Sequence, residues 1–214
     1  CMSGFDVRGA LSQAVALHRA GRLDEASQAY KAVLKHDRRN ADAHNLLGVI
    51  AQSRGQLSEA LACFETALKA SPKMASAHFN KGNVLAALGR TADAAQAYRA
   101  AIAVQTAYAD ARLNLGALLH KGGDLDKAIT VFREMTVAIP GDARGHYNLG
   151  RSLAEAHDAA NAEAALRQAL ALDPAYADAR ISLAKLFADN NNLTKAIAEM
   201  DDVLKAQPRN GELC

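Results

Sequence analysis

Apolar positions along the chain fall into columns that recur every 34 residues. Ala26 is followed at that interval by Ala60, Ala94, Ala128, Ala162 and Ala196. Four residues after each stands a bulky side chain: Tyr30, Phe64, Tyr98, Phe132, Leu166 and Met200. A spacing of four puts the small and the bulky residue on one face of a helix, so each pair predicts a buried helical stripe. A third column, Gly48, Gly82, Gly116 and Gly150, lies inside a helical pattern, where Gly costs about 1 kcal/mol against Ala. It predicts a neighbouring helix passing very close. A fourth column, Gly21, Gly55, Gly89 and Gly123, predicts the left-handed end of a first helix. Pro72, Pro140, Pro174 and Pro208 follow the second helices and stop them. Asp24, Glu25, Asp93, Asp124 and Asp126 open second helices, where they complement the helix dipole.

The columns divide the chain into six repeats, 7–40, 41–74, 75–108, 109–142, 143–176 and 177–210, each holding two antiparallel helices. Residues 1–6 are a lead-in, and no second domain or linker is expected. Two readings of the tail Gly211-Glu212-Leu213-Cys214 stay open: an end, or the start of a seventh repeat. In the second case the last helix exposes its apolar face and invites self-association. Some positions depart from the columns. Ala14 and Ala184 replace the close-packing Gly, Arg38 and Thr106 replace Pro, and His157 and Asn191 replace the turn Gly.

These columns resemble the tetratricopeptide repeat family, whose signature is W-x2-L-G-x2-Y, then A-x3-F, then P. The fourth repeat reads Arg112-x2-Leu115-Gly116-x2-Leu119, then Ala128-x3-Phe132, then Pro140. The resemblance covers 204 of 214 residues, and similar arrays occur in bacterial proteins. It implies an all-α fold, a right-handed α-α superhelix (solenoid) of six helix–turn–helix repeats. The first helix of each pair then lines a concave binding face.

Composition agrees with a thin helical protein. Half the residues are hydrophobic, only 5% are aromatic, and there is no Trp. The 25 basic and 23 acidic residues leave a net charge of +2, without the basic stripe of a nucleic-acid binder. No apolar run reaches the ~18 residues of a membrane span. The cysteines stand at 1, 63 and 214, without CxxC spacing, so a disulfide framework or metal site is not expected. A cytoplasmic setting is the default. Cys1 before Met2 is read as an appended residue or a cut inside a longer chain. The alternative is the lipidated cysteine of a processed lipoprotein, which would place the chain in the periplasm or on a membrane. Asn192-Leu193-Thr194 fits a glycosylation sequon.

Two rows are expected to line the groove. The first is Asn80, Asn114 and Asn148, one repeat apart, with Ser12, Leu46 and Ser182 in the same column. Asn is a poor helix-interior residue. The row reads either as an amide ladder for a ligand backbone or as hydrogen bonding between repeats. As a ladder, it is similar to the asparagine-lined groove of the O-linked N-acetylglucosamine transferase repeats. The second row is Phe79, Leu113, Tyr147 and Ile181, preceded by Asn45. It reads either as an apolar strip for a peptide or helix or as packing between first helices. Asp110, Arg144 and Asp178 lie beside them, with Asn83, Arg151 and Lys185 one turn later. The charges are mixed. Asn80, Asn114 and Arg144 partly match the carboxylate clamp of chaperone-binding relatives, but Lys and Arg are not spaced as that clamp requires.

Nothing points to catalysis. His44, His78 and His146 share one column, and equivalent helices lie ~8–10 Å apart, too far for a shared metal with ligands near ~2 Å. No phosphate loop, GxSxG or HExxH occurs. Cys63 between Ala62 and Phe64 reads as a packed thiol. The expected function is a protein-interaction scaffold without cofactor or metal, binding a protein or peptide but not nucleic acid. The alternatives are the recruiting arm of a glycosyltransferase- or sulfotransferase-like enzyme and a self-assembling structural protein.

Overall fold

The computed structural model describes residues 5–206, with side chains through Leu204. Cys1, Pro208 and the tail 211–214, with both readings of that tail, lie outside the described residues. Within them are twelve α-helices and no strand. The chain divides into two compact units, Cys1–Thr106 and Ala107–Cys214. The first holds α1 (Val7–Arg19), α2 (Leu23–His36), α3 (Ala41–Ser53), α4 (Leu57–Ala70), α5 (Ala75–Ala87) and α6 (Thr91–Val104). The second holds α7 (Ala109–Lys121), α8 (Leu125–Ala138), α9 (Ala143–Glu155), α10 (Ala159–Leu172), α11 (Ala177–Asp189) and α12 (Leu193–Ala206). The odd-numbered helices are the first helices of the repeats. In each unit a helix packs on its repeat partner, and each second helix packs on the first helix that follows.

The columns explain both contacts. Within a repeat, a Cβ built on Gly116 would lie 2.4 Å from the Phe132 ring, and one on Gly48 would lie 2.6 Å from Phe64. Only a bare Cα lets the first helix cross the bulky residue of the second at that distance. Phe64 and Phe132 are accordingly buried, as are Tyr30 and Leu166. Between repeats, a Cβ on Gly145 would come within 3.2 Å of Met135, so α9 lies close on α8. Residues in the small-residue column of Gly145, among them Ala43, Ala77 and Ala179, are fully buried.

Ends of helices follow local chemistry. Asp6, Asn40, Asp142 and Asp158 cap α1, α3, α9 and α10 by accepting backbone N–H bonds. The first helix of each repeat ends in a residue of positive φ. At Gly21, Gly55 and Gly89 φ is 74°, and at Gly123 it is 83°. His157 (60°) and Asn191 (58°) take the same geometry with a side chain present, a conformation that costs roughly 1–2 kcal/mol without Gly. The turn is therefore held by the packing of its two helices, which persists where the glycine is lost.

Candidate binding face of the first helices

The histidine column is structural. The Nε2–H groups of His44, His78 and His146 donate to the carbonyls of Arg38, Pro72 and Pro140 at 3.1, 2.9 and 3.2 Å. Arg180, in the same column, donates to the Pro174 carbonyl at 3.2 Å. Each ties the start of a first helix to the turn before it. Among the described residues no group of three His, Cys, Asp or Glu side chains is placed to hold a metal. Burial and the Glu59 carboxylate raise the Cys63 thiol above its ordinary value, the opposite of what a reactive thiolate needs.

In the first unit, Asn80 on α5 donates its side-chain amide to Asn45 Oδ1 on α3 at 3.2 Å. Asn45 is buried, at 8% exposure. The Asn83 oxygen accepts the Tyr98 hydroxyl at 2.8 Å, and the half-buried Phe79 ring lies 6.0 Å from Tyr98. These three groove candidates thus also tie α5 to its neighbours, Asn80 to α3 and Asn83 and Phe79 to α6.

In the second unit, Leu113 and Asn114 are half-buried on α7. Asn148 donates to the Arg144 carbonyl one turn earlier at 2.8 Å. Arg144 holds Asp142 through Nε and Nη2 at 3.0 and 2.7 Å and reaches Asp110 at 3.1 Å. The Arg144 guanidinium and the α9 amide hold the Asp142 carboxyl below its ordinary value against the opposing effect of burial. The Asp142 and Asp110 carboxylates raise Arg144 in turn. The Tyr147 ring packs 5.0 Å from Tyr176, with the Arg151 guanidinium 5.9 Å above it. Asp178 is exposed on the first turn of α11.

Arg151 and Lys185 are brought together. They line one cleft of about 710 Å³ between α9 and α11, with Ser182, Glu155, Asp189 and Asn190. Among the described residues no carboxylate forms an ion pair with either cation. Glu155 instead stands 2.7 Å from His120 Nε2. Ile181, 43% exposed, lines a different groove, one that α11 shares with α12. Glu155, Asp189 and Tyr176 were not singled out from the sequence. Glu155 and Asp189 follow Arg151 and Lys185 by four residues, which places them on the same helical face.

Family models described as tetratricopeptide repeat match residues 17–78, 50–108, 87–143 and 147–211. No curated protein matches the sequence closely enough to count as a relative. Among solved structures, YrrB, described as a TPR protein with an unusual peptide-binding site, is 21% identical with a TM-score of 0.70. That match covers 86% of this chain and 95% of YrrB. The C-terminal part of a repeat-containing protein from Cytophaga hutchinsonii is 17% identical with a TM-score of 0.79, covering 92% and 78%. MamA from Desulfovibrio magneticus RS-1 is 21% identical with a TM-score of 0.68, covering 78% and 94%. These similarities show the fold.

Proposed function

We propose, from the premise that this chain belongs to the tetratricopeptide repeat family, that it is a non-catalytic scaffold holding an extended peptide or partner helix along its first helices. The observation that carries this reading is the cleft between α9 and α11. Its volume is in the range of ligand sites, roughly 300–1,000 Å³, and it displays Arg151 and Lys185, neither of which is ion-paired to a described carboxylate, beside Glu155 and Asp189. Two such cations suit an acidic side chain or a terminal carboxylate of the bound segment. Tyr147, under Arg151, offers an aromatic platform beside it. The engaged amides of Asn80 and Asn148 favour the bracing reading at those two positions. We therefore place the recognition chemistry on Arg151, Lys185, Tyr147 and Ser182. The scaffold reading extends to the recruiting arm of a larger enzyme, which presents the same face. A default cytoplasmic setting remains our reading of the cysteine usage. No helix among the described residues is long and apolar enough to cross a membrane.

Peptides selected from a displayed random library against the purified chain test this reading. The enriched peptides carry Asp, Glu or an essential free C-terminus. Arg151→Ala with Lys185→Ala weakens their binding by at least ~10-fold, the equivalent of one charged hydrogen bond, and leaves the thermal midpoint unchanged. Peptides that bind the double variant as tightly as the parent remove the cleft from the binding face.

A further inference from the structure

Beside the cleft between α9 and α11 stands an imidazole that the proposed recognition does not use. His120, next to the last residue of α7, has a side chain only 19% exposed. Its Nε2 is closed off from solvent and makes no aligned hydrogen bond. Glu155 Oε2 on α9 nevertheless stands 2.7 Å from that nitrogen. A close contact without hydrogen-bond alignment is held by charge, so its strength depends on whether the imidazole carries its second proton.

Glu155 has another cation in reach. Arg151 stands four residues earlier on α9, one helical turn away on the same face, and both line the cleft. Such a pair is made elsewhere in the molecule: Glu163 and Arg167, four apart on α10, meet at 2.8 Å. On α9 it is not made. Glu155 turns to His120, and the Arg151 guanidinium lies 5.9 Å from the centre of the Tyr147 ring. Other charged groups on the helices packed against α7 are occupied or in water. On α8, Lys127 pairs with Asp124 and Glu134 with Arg112, while Asp126 and Arg133 are exposed. On α9, Arg144 pairs with Asp142 and Asp110, and His146 is tied to the Pro140 carbonyl. Lys121, next to His120 on α7, is exposed.

Taking the cleft as the recognition site, as proposed above, we infer that His120 is its positioning residue. Protonated, it holds Glu155 off Arg151 and leaves the guanidinium free for an acidic ligand. On losing that proton it releases the carboxylate, which then competes with the ligand for Arg151. Binding of an acidic segment is therefore tighter on the acid side of the range in which imidazoles titrate, roughly pH 5–8, and weaker on the basic side. The change is about threefold, the worth of one exposed ion pair. The ligand's own carboxylates, which titrate near ~4, stay charged throughout. His157 also lines the cleft, and its protonation acts in the same direction. His157→Asn removes that contribution and keeps the turn, because Asn191 holds the matching positive φ.

Fluorescence anisotropy of a labelled, library-selected acidic peptide without histidine is the test. It is titrated with the whole chain carrying His157→Asn, from about pH 5.5 to about 8. With His120 and Glu155 in place the affinity falls threefold across the range. Glu155→Gln, at an exposed site, binds at or above the tight level at every pH. His120→Gln binds at the loose level at every pH. Adding His120→Gln to Glu155→Gln changes nothing, an outcome that a merely structural role for His120 does not give. A pH slope that survives Glu155→Gln overturns the proposal, whatever His120→Gln does to folding. So does a loss from His120→Gln of equal size with and without Glu155. An affinity unchanged by Arg151→Ala with Lys185→Ala removes the cleft and the positioning role together. A loss there without a pH slope when His120 and Glu155 are present overturns the positioning role alone.

Discussion

The first and last described helices resolve the same packing problem in opposite ways. Both lack a described neighbour on one side, where an interior helix has one. On α1, the position that buries Leu149 and Leu183 in later repeats, and holds Lys81 in the third, is Gln13, and Arg8, Ser12 and Ala16 share its exposure. On α12, Leu193, Ile197, Met200 and Leu204 are exposed, although Met200 stands in the bulky column that is buried in the earlier repeats. A polar helix face is at ease in water, whereas an exposed apolar seam of this length favours a contact. The two ends carry the same columns, and their exposed faces differ in polarity, an amide and a guanidinium on α1 against four large apolar side chains on α12.

Moving the α1 residue into the interior has the largest expected effect. Leu183→Gln, at a fully buried site, lowers unfolding free energy by about 3–5 kcal/mol, the cost of a lost core Leu plus a buried amide. Urea denaturation measures it. The reverse change, Gln13→Leu, stays within about 0.5 kcal/mol, as a surface substitution does. Equal effects at the two sites would erase the distinction between the two faces.

A smaller loss tests the inner faces. Gly116→Ala pushes a methyl into the Phe132 ring and costs about 1–3 kcal/mol through overpacking, although Ala favours the helix. A gain in stability would show that the ring moves aside freely.

The Asp142 cap gives a pH-dependent effect of about 1 kcal/mol. Its carboxyl is held below the ordinary value in the folded chain. The charged form's contribution is therefore complete above the unfolded value of about 4. It disappears as pH falls through the lower folded value. The stability difference between parent and Asp142→Asn is largest near neutrality and shrinks in acid. A difference constant from neutral to strongly acidic pH contradicts the ion-pair origin. Smallest of all, His157→Gly relieves a positive φ of 60° and stabilises by about 0.5–1 kcal/mol, partly offset by the freedom Gly gains when unfolded.

The columns made the fold legible because each is a steric rule that needs no distant information. A Gly under Phe132, an Ala at position 26 and a positive φ at Gly55 are dictated by contacts that recur at one interval. The binding face was less legible. Asn80 and Asn148 share a column, yet one bonds across to α3 and the other to its own helix. The difference lies in a second column, where Asn45 offers an acceptor to Asn80 and Leu113 offers none. Side-chain partners depend on what stands one residue off the period, which the repeat itself does not constrain. The boundary between the two compact units falls at Thr106 and Ala107, inside an unbroken period. Thr106 occupies the proline column there, but a missing proline also occurs at Arg38, inside the first unit.

The proposed recognition surface lies on the first helices α9 and α11. Amide hydrogen exchange of the whole chain, with and without a library-selected peptide, tests it directly. Exchange slows chiefly at residues 147–151 and 181–185. Slowing confined to the second helices α8, α10 and α12, or no slowing in α9 and α11 at saturating peptide, would contradict it.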